Sequence, residues 1–294
     1  MRTRIITAAI LFCITLPVFI FSHTVALPIA AILLAVFGAF EMLRCVGISR
    51  YKSVLIPSLI FAVLMPLGTV FFFVDIAGIG FTLHSYLAVG IAVCFFYLLF
   101  VFGAGVFFQG SVKFSDLGSA ALMVIYIVFS FTSIVLLRCQ PNGVFLLYLT
   151  FIGPFLTDAF AYFTGMLFGK HKLLPAISPK KTVEGSIGGT VFGSASYLLF
   201  GLAISLITAA YPDIVGGVLT PNYFALAIYG LIVSVVSQIG DLAMSWIKRE
   251  HGVKDYGRIF PGHGGVLDRF DSVLITAPLL LLFSTLEGPF AMFF

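Results

Sequence analysis

Long uninterrupted runs of apolar residues are the feature that most limits what this chain can fold into. Nine runs follow one another, and each approaches the roughly 20 residues that a helix needs to cross a bilayer. Only 10% of the residues are charged, whereas soluble domains carry about 25%. The sequence therefore predicts an all-α, polytopic integral membrane protein with about nine transmembrane helices. These cover residues 5–21, 24–43, 53–74, 85–108, 117–137, 144–168, 184–208, 222–247 and 271–291.

The basic residues orient these predicted helices. Cytoplasmic loops of membrane proteins carry an excess of Lys and Arg. With nine helices, fifteen of the sixteen basic residues fall on the side of the N-terminus, and Arg138 alone falls on the other. We therefore expect a cytoplasmic N-terminus. The first apolar run could also be a signal peptide, but no small-residue cleavage site precedes His23, which favours a retained helix.

Two long loops on the basic side are the places where chemistry is expected. They cover residues 169–183 and 248–270 and contain nine of the sixteen basic residues. We accordingly divide the chain into N-terminal membrane helices, 1–143, and a catalytic part with both loops, 144–294. The role of the N-terminal part does not follow from the sequence.

Polar residues inside two of the predicted helices indicate a functional site. Asp158 lies about 15 Å from the cytoplasmic end of its helix, and a carboxylate at that depth is costly and tends to be functional. Gln238, Asp241, Ser245 and Lys248 follow one another at steps of three, four and three residues. They form a polar stripe that should face protein or water, because lipid would not solvate it. A purely structural aspartate remains the alternative for Asp158.

The loop after this stripe combines glycines with cations. Glycines on both sides of His263 let the backbone bend tightly and approach a ligand closely. Its Lys and Arg side chains suit phosphate groups. The loop therefore predicts a phosphate-binding segment, with Lys254, Arg258, Gly262, Gly264, Gly265 and Arg269 as its members.

Three aspartates border this loop, and we expect them to converge. Asp268 and Asp271 are three residues apart at the start of the last helix, and Asp241 should lie at a similar depth. Converging carboxylates repel one another unless a cation lies between them, and oxygen ligands suit magnesium. Salt bridges to neighbouring Lys and Arg are the alternative for any one aspartate. The three together favour a metal site.

The other loop offers two cations and two hydroxyls just before a helix. Ser178, Lys180, Lys181 and Thr182 stand at a position where helix N-termini favour anions, which indicates phosphate binding. Lys170 and Lys172 fit membrane anchoring equally well. After this loop, Gly185, Gly189 and Gly193 recur every four residues, which is typical of a close helix-packing seam.

The run from Ser245 to Asp271 resembles the signature of the phosphatidate cytidylyltransferases, also called CDP-diacylglycerol synthases. Segments 154–162, 178–185 and 238–242 are similar to the same family. One position departs from the pattern, because Met244 stands where an acidic residue is expected. The signature residues are Ser245, Lys248, Arg249, Lys254, Asp255, Gly257, Pro261, Gly262, His263, Gly264, Gly265, Leu267, Asp268, Arg269, Phe270 and Asp271.

This resemblance implies a nucleotidyltransferase that joins CTP to phosphatidate, giving CDP-diacylglycerol and pyrophosphate. It implies magnesium, with potassium in the same site, at Asp241, Asp268 and Asp271. Lys248 and Asp158 complete the expected catalytic group, and both loops, with Arg249, bind the substrates. The expected location is the bacterial inner membrane, with the site facing the cytoplasm. We expect no nucleic-acid partner, and a homodimer is left open.

Two other functions fit parts of the sequence. A CTP-dependent enzyme could act on another lipid, such as an isoprenoid phosphate or alcohol, because acyl-chain contacts are simply apolar surface. An ion-coupled secondary transporter could also carry intramembrane aspartates, but inverted repeats are typical of transporters, and the chain shows none by eye.

Overall fold

The computed structural model describes residues 2–73, 82–107, 113–212 and 217–293. Two predicted helices, 53–74 and 85–108, end on residues outside these ranges. The described part contains nine α-helices and a two-stranded antiparallel sheet. The helices are α1 Arg2–Ile20, α2 Ala26–Cys45, α3 Lys52–Leu67, α4 Leu83–Phe107, α5 Phe114–Arg138, α6 Gly143–Phe168, α7 Val183–Ala210, α8 Tyr223–Glu250 and α9 Leu267–Ser284; the strands are β1 Lys172–Leu174 and β2 Ser178–Thr182.

Seven helical segments of the described chain are long and apolar enough to span a membrane. They are α2, α4, α5, α6, α7, α8 and the segment Lys52–Phe72, in which a 3₁₀ turn extends α3. The all-α, multi-pass membrane protein expected from the apolar runs is confirmed. Helices α1, of 19 residues, and α9, of 18 residues, are not among these seven. The total of nine spans therefore stays a prediction, as does the cytoplasmic N-terminus.

The last helix differs from the expected segment 271–291. It begins at Leu267 and ends at Ser284. The earlier start follows from hydrogen bonds that side chains accept from backbone N–H groups at residues 265–267. After the helix, Gly288–Phe290 form a short 3₁₀ turn, since a Gly-Pro pair does not continue an α-helix. The predicted boundaries were therefore wrong at both ends.

The chain forms two compact units, and the first combines residues 1–139 with residues 248–270. In it, α2 packs against α3 and α5, and α3 also contacts α4. The core between these helices is apolar, with Ala39, Ile127 and Phe131 fully buried. Inside this core the hydroxyls of Ser58 and Tyr97 lie 3.1 Å apart. The first unit thus places the glycine-rich loop on the N-terminal helices.

The second unit combines residues 140–247 with residues 271–294, and close packing of α6 on α7 dominates it. A Cβ atom added at Gly189 would lie 2.7 Å from the Thr157 carbonyl oxygen and 2.8 Å from the Ala161 Cβ. Gly185 and Gly193 approach α6 similarly closely. The predicted glycine seam is therefore confirmed, and it brings the two helix backbones together.

Candidate active site

Four elements of the second unit bring three charged side chains and one hydroxyl to one place. The Lys181 ammonium at the end of β2 forms an ion pair with Asp241 of α8. Asp158 of α6 lies close enough to both groups to interact with them electrostatically. The Ser272 hydroxyl of α9 donates a 2.9 Å hydrogen bond to the Asp158 carboxylate. Asp158 thus belongs to a cluster of one cation and two carboxylates, and its role in catalysis stays a prediction.

These charges line a cavity of about 360 Å³. Its polar wall contains Ser178, Lys180, Lys181, Thr182, Asp158, Gln238 and Asp241, and its apolar wall includes Tyr162, Met166 and Leu173. The Tyr162 and Met166 side chains are largely exposed, at 66% and 62%. The cavity therefore joins ionic groups to apolar surface of a membrane-spanning helix.

A short hairpin between α6 and α7 places the cations of this cavity. Strand β1 pairs with β2, so the predicted loop 169–183 contains a small sheet. At its end, the Thr182 hydroxyl accepts a hydrogen bond from the Gly185 amide and caps α7. Glu184 accepts hydrogen bonds from the Lys170 and His171 amides. These contacts close the hairpin onto α7, which fixes Lys181 next to Asp241.

The polar stripe of α8 faces protein groups, as predicted. The Gln238 amide donates to the Thr190 hydroxyl at 3.0 Å and to the Ser186 carbonyl at 3.3 Å. The Ser245 hydroxyl lies 3.4 Å from Asp241. Met244, the position where the family pattern led us to expect an acid, is 1% exposed. Its side chain fills buried space beside the stripe.

Further along α8, Lys248 belongs to a second cluster, in the first unit. Its ammonium donates a 2.8 Å hydrogen bond to Asp268, and both residues are 8% exposed. The other oxygen of Asp268 accepts hydrogen bonds from the Tyr256 amide at 2.8 Å and the Gly265 amide at 2.9 Å. Asp268 therefore connects the end of α8, the glycine-rich loop and the start of α9.

The glycine-rich loop is bent where the sequence predicts it. Gly262 and Gly264 have φ values of 77° and 86°, in the left-handed region that residues with a Cβ rarely adopt. The Phe260 amide donates to the Gly264 carbonyl at 2.9 Å, which closes the bend around His263. A cavity of about 760 Å³ opens beside it, with cationic groups on its wall from Lys254, Arg258 and Arg269.

The predicted site residues are thus gathered into two groups. Asp158, Ser178, Lys180, Lys181, Thr182, Asp241 and Asp271 belong to the second unit, and Lys248, Arg249, Lys254, His263, Gly264, Gly265, Asp268 and Arg269 belong to the first. Arg249 is exposed and lies 3.5 Å from the Val253 carbonyl oxygen. Asp271 accepts a hydrogen bond from the Ser272 amide. Convergence of Asp241, Asp268 and Asp271 stays a prediction.

Comparison with known proteins relates this arrangement to one family. The sequence model described as the cytidylyltransferase family matches residues 2–286. The chain belongs to the cytidylyltransferase family. A phosphatidate cytidylyltransferase of Staphylococcus haemolyticus is 33% identical over 280 residues, which cover 95% of this chain and 97% of that protein. One from Brucella suis is 40% identical over 185 residues, so the match covers 61% of this chain and 63% of the relative.

The two clusters of this chain differ in how well they suit a magnesium ion. Magnesium takes one or two carboxylates, and substrate phosphates and water complete its shell. Asp158 and Asp241 supply two carboxylates, of which Asp241 is ion-paired with Lys181 and Asp158 accepts one hydrogen bond from Ser272. The Asp268 oxygens already accept three hydrogen bonds. Across the described part of the chain, no three His, Cys, Asp or Glu side chains form a group that could hold a metal ion. The pair is therefore the better-suited donor group.

Two residues of α2 that contact the glycine-rich loop, Glu41 and Arg44, were missed by sequence reasoning. Glu41 of α2 accepts hydrogen bonds from the Val266 and Leu267 amides at 3.1 and 3.0 Å. Arg44, one turn further along α2, donates to the Tyr256 carbonyl at 2.7 Å. The only available signal was an acidic residue inside an apolar run, and nothing in the spacing links it to a loop more than 200 residues away.

Proposed function

We propose that this cytidylyltransferase transfers CMP from CTP to phosphatidate, giving CDP-diacylglycerol and pyrophosphate. The observation that carries the proposal is the family match over residues 2–286, together with the name of the relative that aligns over 95% of the chain. The reaction joins two anions, so it needs cations at both substrates. The two clusters of basic side chains meet that need.

The Lys181 cavity suits the lipid substrate. Its ammonium and that of Lys180 can bind a phosphate monoester. Its apolar wall, with the exposed Tyr162 and Met166, can contact acyl chains that remain in the bilayer. We therefore assign the phosphatidate headgroup to this cavity, with the lipid entering from the membrane.

The loop cavity suits CTP. Its volume of about 760 Å³ lies within the roughly 300–1,000 Å³ typical of small-molecule sites. Lys254, Arg258 and Arg269 supply cations for a triphosphate, and the bend at Gly262 and Gly264 lets backbone groups approach it closely. We assign the nucleotide to this loop.

In the reaction, an oxygen of the lipid phosphate attacks the α-phosphorus of CTP. A new bond forms between this oxygen and the α-phosphorus. The bond between the α-phosphorus and the oxygen that bridges it to the β-phosphorus breaks, and pyrophosphate leaves. The basic side chains hold the anions in position, and their charge offsets repulsion in the transition state. No residue is assigned as general base, because a phosphate monoester is largely deprotonated near pH 7.

We propose magnesium as the cofactor, held by Asp241 with Asp158 nearby and completed by substrate phosphates. When bound, it would neutralise phosphate charge. Asp271 and Asp268 remain further candidate ligands, and Lys248 holds Asp268 in place. We propose potassium on the family resemblance alone, and a homodimer is left open.

We also propose the bacterial inner membrane as the location, with both loops in the cytoplasm. The proposal is supported by the excess of basic residues on one side of the predicted topology. Modification of single engineered cysteines at Lys172 and Arg258 by a membrane-impermeant thiol reagent tests it. Labelling in inverted vesicles but not in intact spheroplasts is expected, and the reverse pattern would contradict it.

A pyrophosphate-release assay with the purified protein tests the activity. Release from CTP should require both phosphatidate and magnesium, and CDP-lipid should form in equal amount. The Asp241→Asn variant should lose turnover, whereas Asp116→Asn, at a half-buried position in the first turn of α5, should keep it. Loss of turnover in both variants, or release without any lipid, would argue against the proposal.

Two further assays separate the alternatives. Competition between phosphatidate and an isoprenoid phosphate reports the lipid substrate, and preference for the isoprenoid would replace phosphatidate. Solute uptake into proteoliposomes without CTP consumption would favour a transporter.

A further inference from the structure

We propose that Glu41 is a positioning residue, which holds the glycine-rich loop in the conformation that binds CTP. The proposal rests on the function proposed above. It gives the N-terminal helices a part in the reaction beyond membrane anchoring, through a side chain that does not itself touch a substrate.

Both oxygens of the Glu41 carboxyl group accept hydrogen bonds from backbone amides. It is 1% exposed, and each of its oxygens accepts one hydrogen bond, from the Val266 amide at 3.1 Å and from the Leu267 amide at 3.0 Å. Leu267 is the first residue of α9, and the first N–H groups of a helix have no partner within it. Glu41 thus caps α9 from another helix.

Its surroundings explain two glycines of the loop. A Cβ atom at Gly257 or at Gly265 would collide with the Glu41 carboxyl group. The loop backbone therefore approaches α2 as closely as glycine allows. Because the loop passes Glu41 at both glycines, displacement of this side chain should disturb the loop at two points.

A second contact from α2 supports the same segment. Arg44 donates a 2.7 Å hydrogen bond to the Tyr256 carbonyl oxygen. Together, Glu41 and Arg44 bind backbone at both ends of the segment 256–267. The middle of that segment, with His263, lines the loop cavity. The position of the cavity wall therefore depends on α2.

Location also argues for a role beyond packing. Glu41 lies inside an apolar helix of membrane-spanning length, where an ionisable side chain is costly. An apolar residue would fill the same space without that cost. The carboxyl group offers two acceptors to two adjacent amides, which an apolar side chain cannot offer.

Hydrogen exchange measured by mass spectrometry on the protein in detergent micelles tests the contact directly. In Glu41→Gln one amide acceptor oxygen is lost, and in Glu41→Ala both are lost. Exchange in peptides covering residues 256–268 should accelerate by about tenfold or more in Glu41→Ala, with Glu41→Gln in between. Gly265→Ala should also accelerate exchange in these peptides, because its methyl group would displace the loop from Glu41.

The matched control is Ser58→Ala. Ser58 is also buried in the first unit, but its hydroxyl bonds to Val54 and Tyr97 instead of the loop. Its loss should lower the unfolding temperature without changing exchange in residues 256–268. In turnover assays, Glu41→Ala should raise the KM for CTP about tenfold or more and leave the KM for phosphatidate within about twofold. The control should leave both constants unchanged.

These readouts separate failure of the inference from failure of the proposed function. If the wild-type protein forms no CDP-lipid, the proposed function fails and the CTP role of Glu41 fails with it. If the wild-type protein is active but Glu41→Ala leaves loop exchange or the KM for CTP unchanged, the inference alone is overturned. A rise in the KM for CTP of equal size in Ser58→Ala would overturn it as well.

Discussion

Ser272 donates its hydroxyl to Asp158 at 2.9 Å, and this contact ties α9 to α6 within the second unit. Asp158 lies deep in a membrane-spanning helix, so its carboxylate needs partners. Ser272 supplies a hydrogen bond and Lys181 a positive charge. The relationship indicates that Asp158 is held at a fixed place among charged groups.

Asp158→Asn should lower kcat on the order of 100-fold, because it removes a negative charge from a preorganised ionic site. Ser272→Ala should lower it by no more than about tenfold, the usual effect of one lost hydrogen bond. Initial rates of pyrophosphate release measure both. Ser284→Ala is the control, since its hydroxyl donates to Leu281 within α9. Equal rates for Asp158→Asn and wild type would remove Asp158 from the site.

Lys181→Gln should weaken phosphatidate binding, because it removes a cation from the Lys181 cavity and leaves Asp241 without its ion-pair partner. A rise of about tenfold in the KM for phosphatidate is expected. Lys170→Gln is the matched control, an exposed lysine near the start of the same hairpin. Similar kinetics in the two variants would indicate membrane anchoring instead of substrate binding.

Gly189→Ala should destabilise the protein by about 1–3 kcal/mol, because the new methyl group would meet backbone and Ala161 of α6. Gly118→Ala is the control. It is also a helical glycine, but nothing lies within 4 Å of its added Cβ, so it should be neutral or stabilising by up to about 1 kcal/mol. Thermal unfolding in detergent measures the difference. Equal unfolding temperatures for Gly189→Ala and Gly118→Ala would contradict the close packing.

Asp268→Asn should reduce both stability and turnover. It leaves the buried Lys248 ammonium without its partner, which typically costs about 3–5 kcal/mol. The double variant with Lys248→Gln should be less destabilised than the sum of the single changes, because the two groups interact directly. Unfolding temperature and activity are measured together. Strict additivity would show that the ion pair does not couple the two residues.

Removal of magnesium by a chelator should abolish CDP-lipid formation, and added magnesium should restore it. Asp241→Asn should raise the magnesium concentration needed for half-maximal rate by on the order of tenfold. Its low residual turnover is measured at high enzyme concentration. Asp116→Asn should leave it unchanged. Identical magnesium dependence in both variants would exclude Asp241 as a ligand.

Periodic features of this sequence predicted structure well. The apolar runs gave the helices from α2 to α8, because length and hydropathy alone identify such segments. The stripe of Gln238, Asp241, Ser245 and Lys248 was predicted to face protein, and each member binds a protein group. The glycine seam followed from spacing in the same way.

Contacts between distant segments were not predictable in this way. Glu41 accepts a hydrogen bond from Val266, which lies 225 residues further along the chain. A single acidic residue forms no repeating pattern from which this contact could be predicted. The hairpin of β1 and β2 was missed because its strands have three and five residues. The start of α9 was misplaced because Glu41 and Asp268 bind the backbone amides there.

The close approach of α6 and α7 has a consequence for how these two helices respond to the bilayer around them. Bilayers of different lipid composition differ in thickness, and membrane helices respond by tilting. Because the helix backbones meet at Gly185 and Gly189, α6 and α7 should tilt together. The distance between Asp158 and the Lys181 hairpin should therefore change little when the thickness of the surrounding bilayer changes.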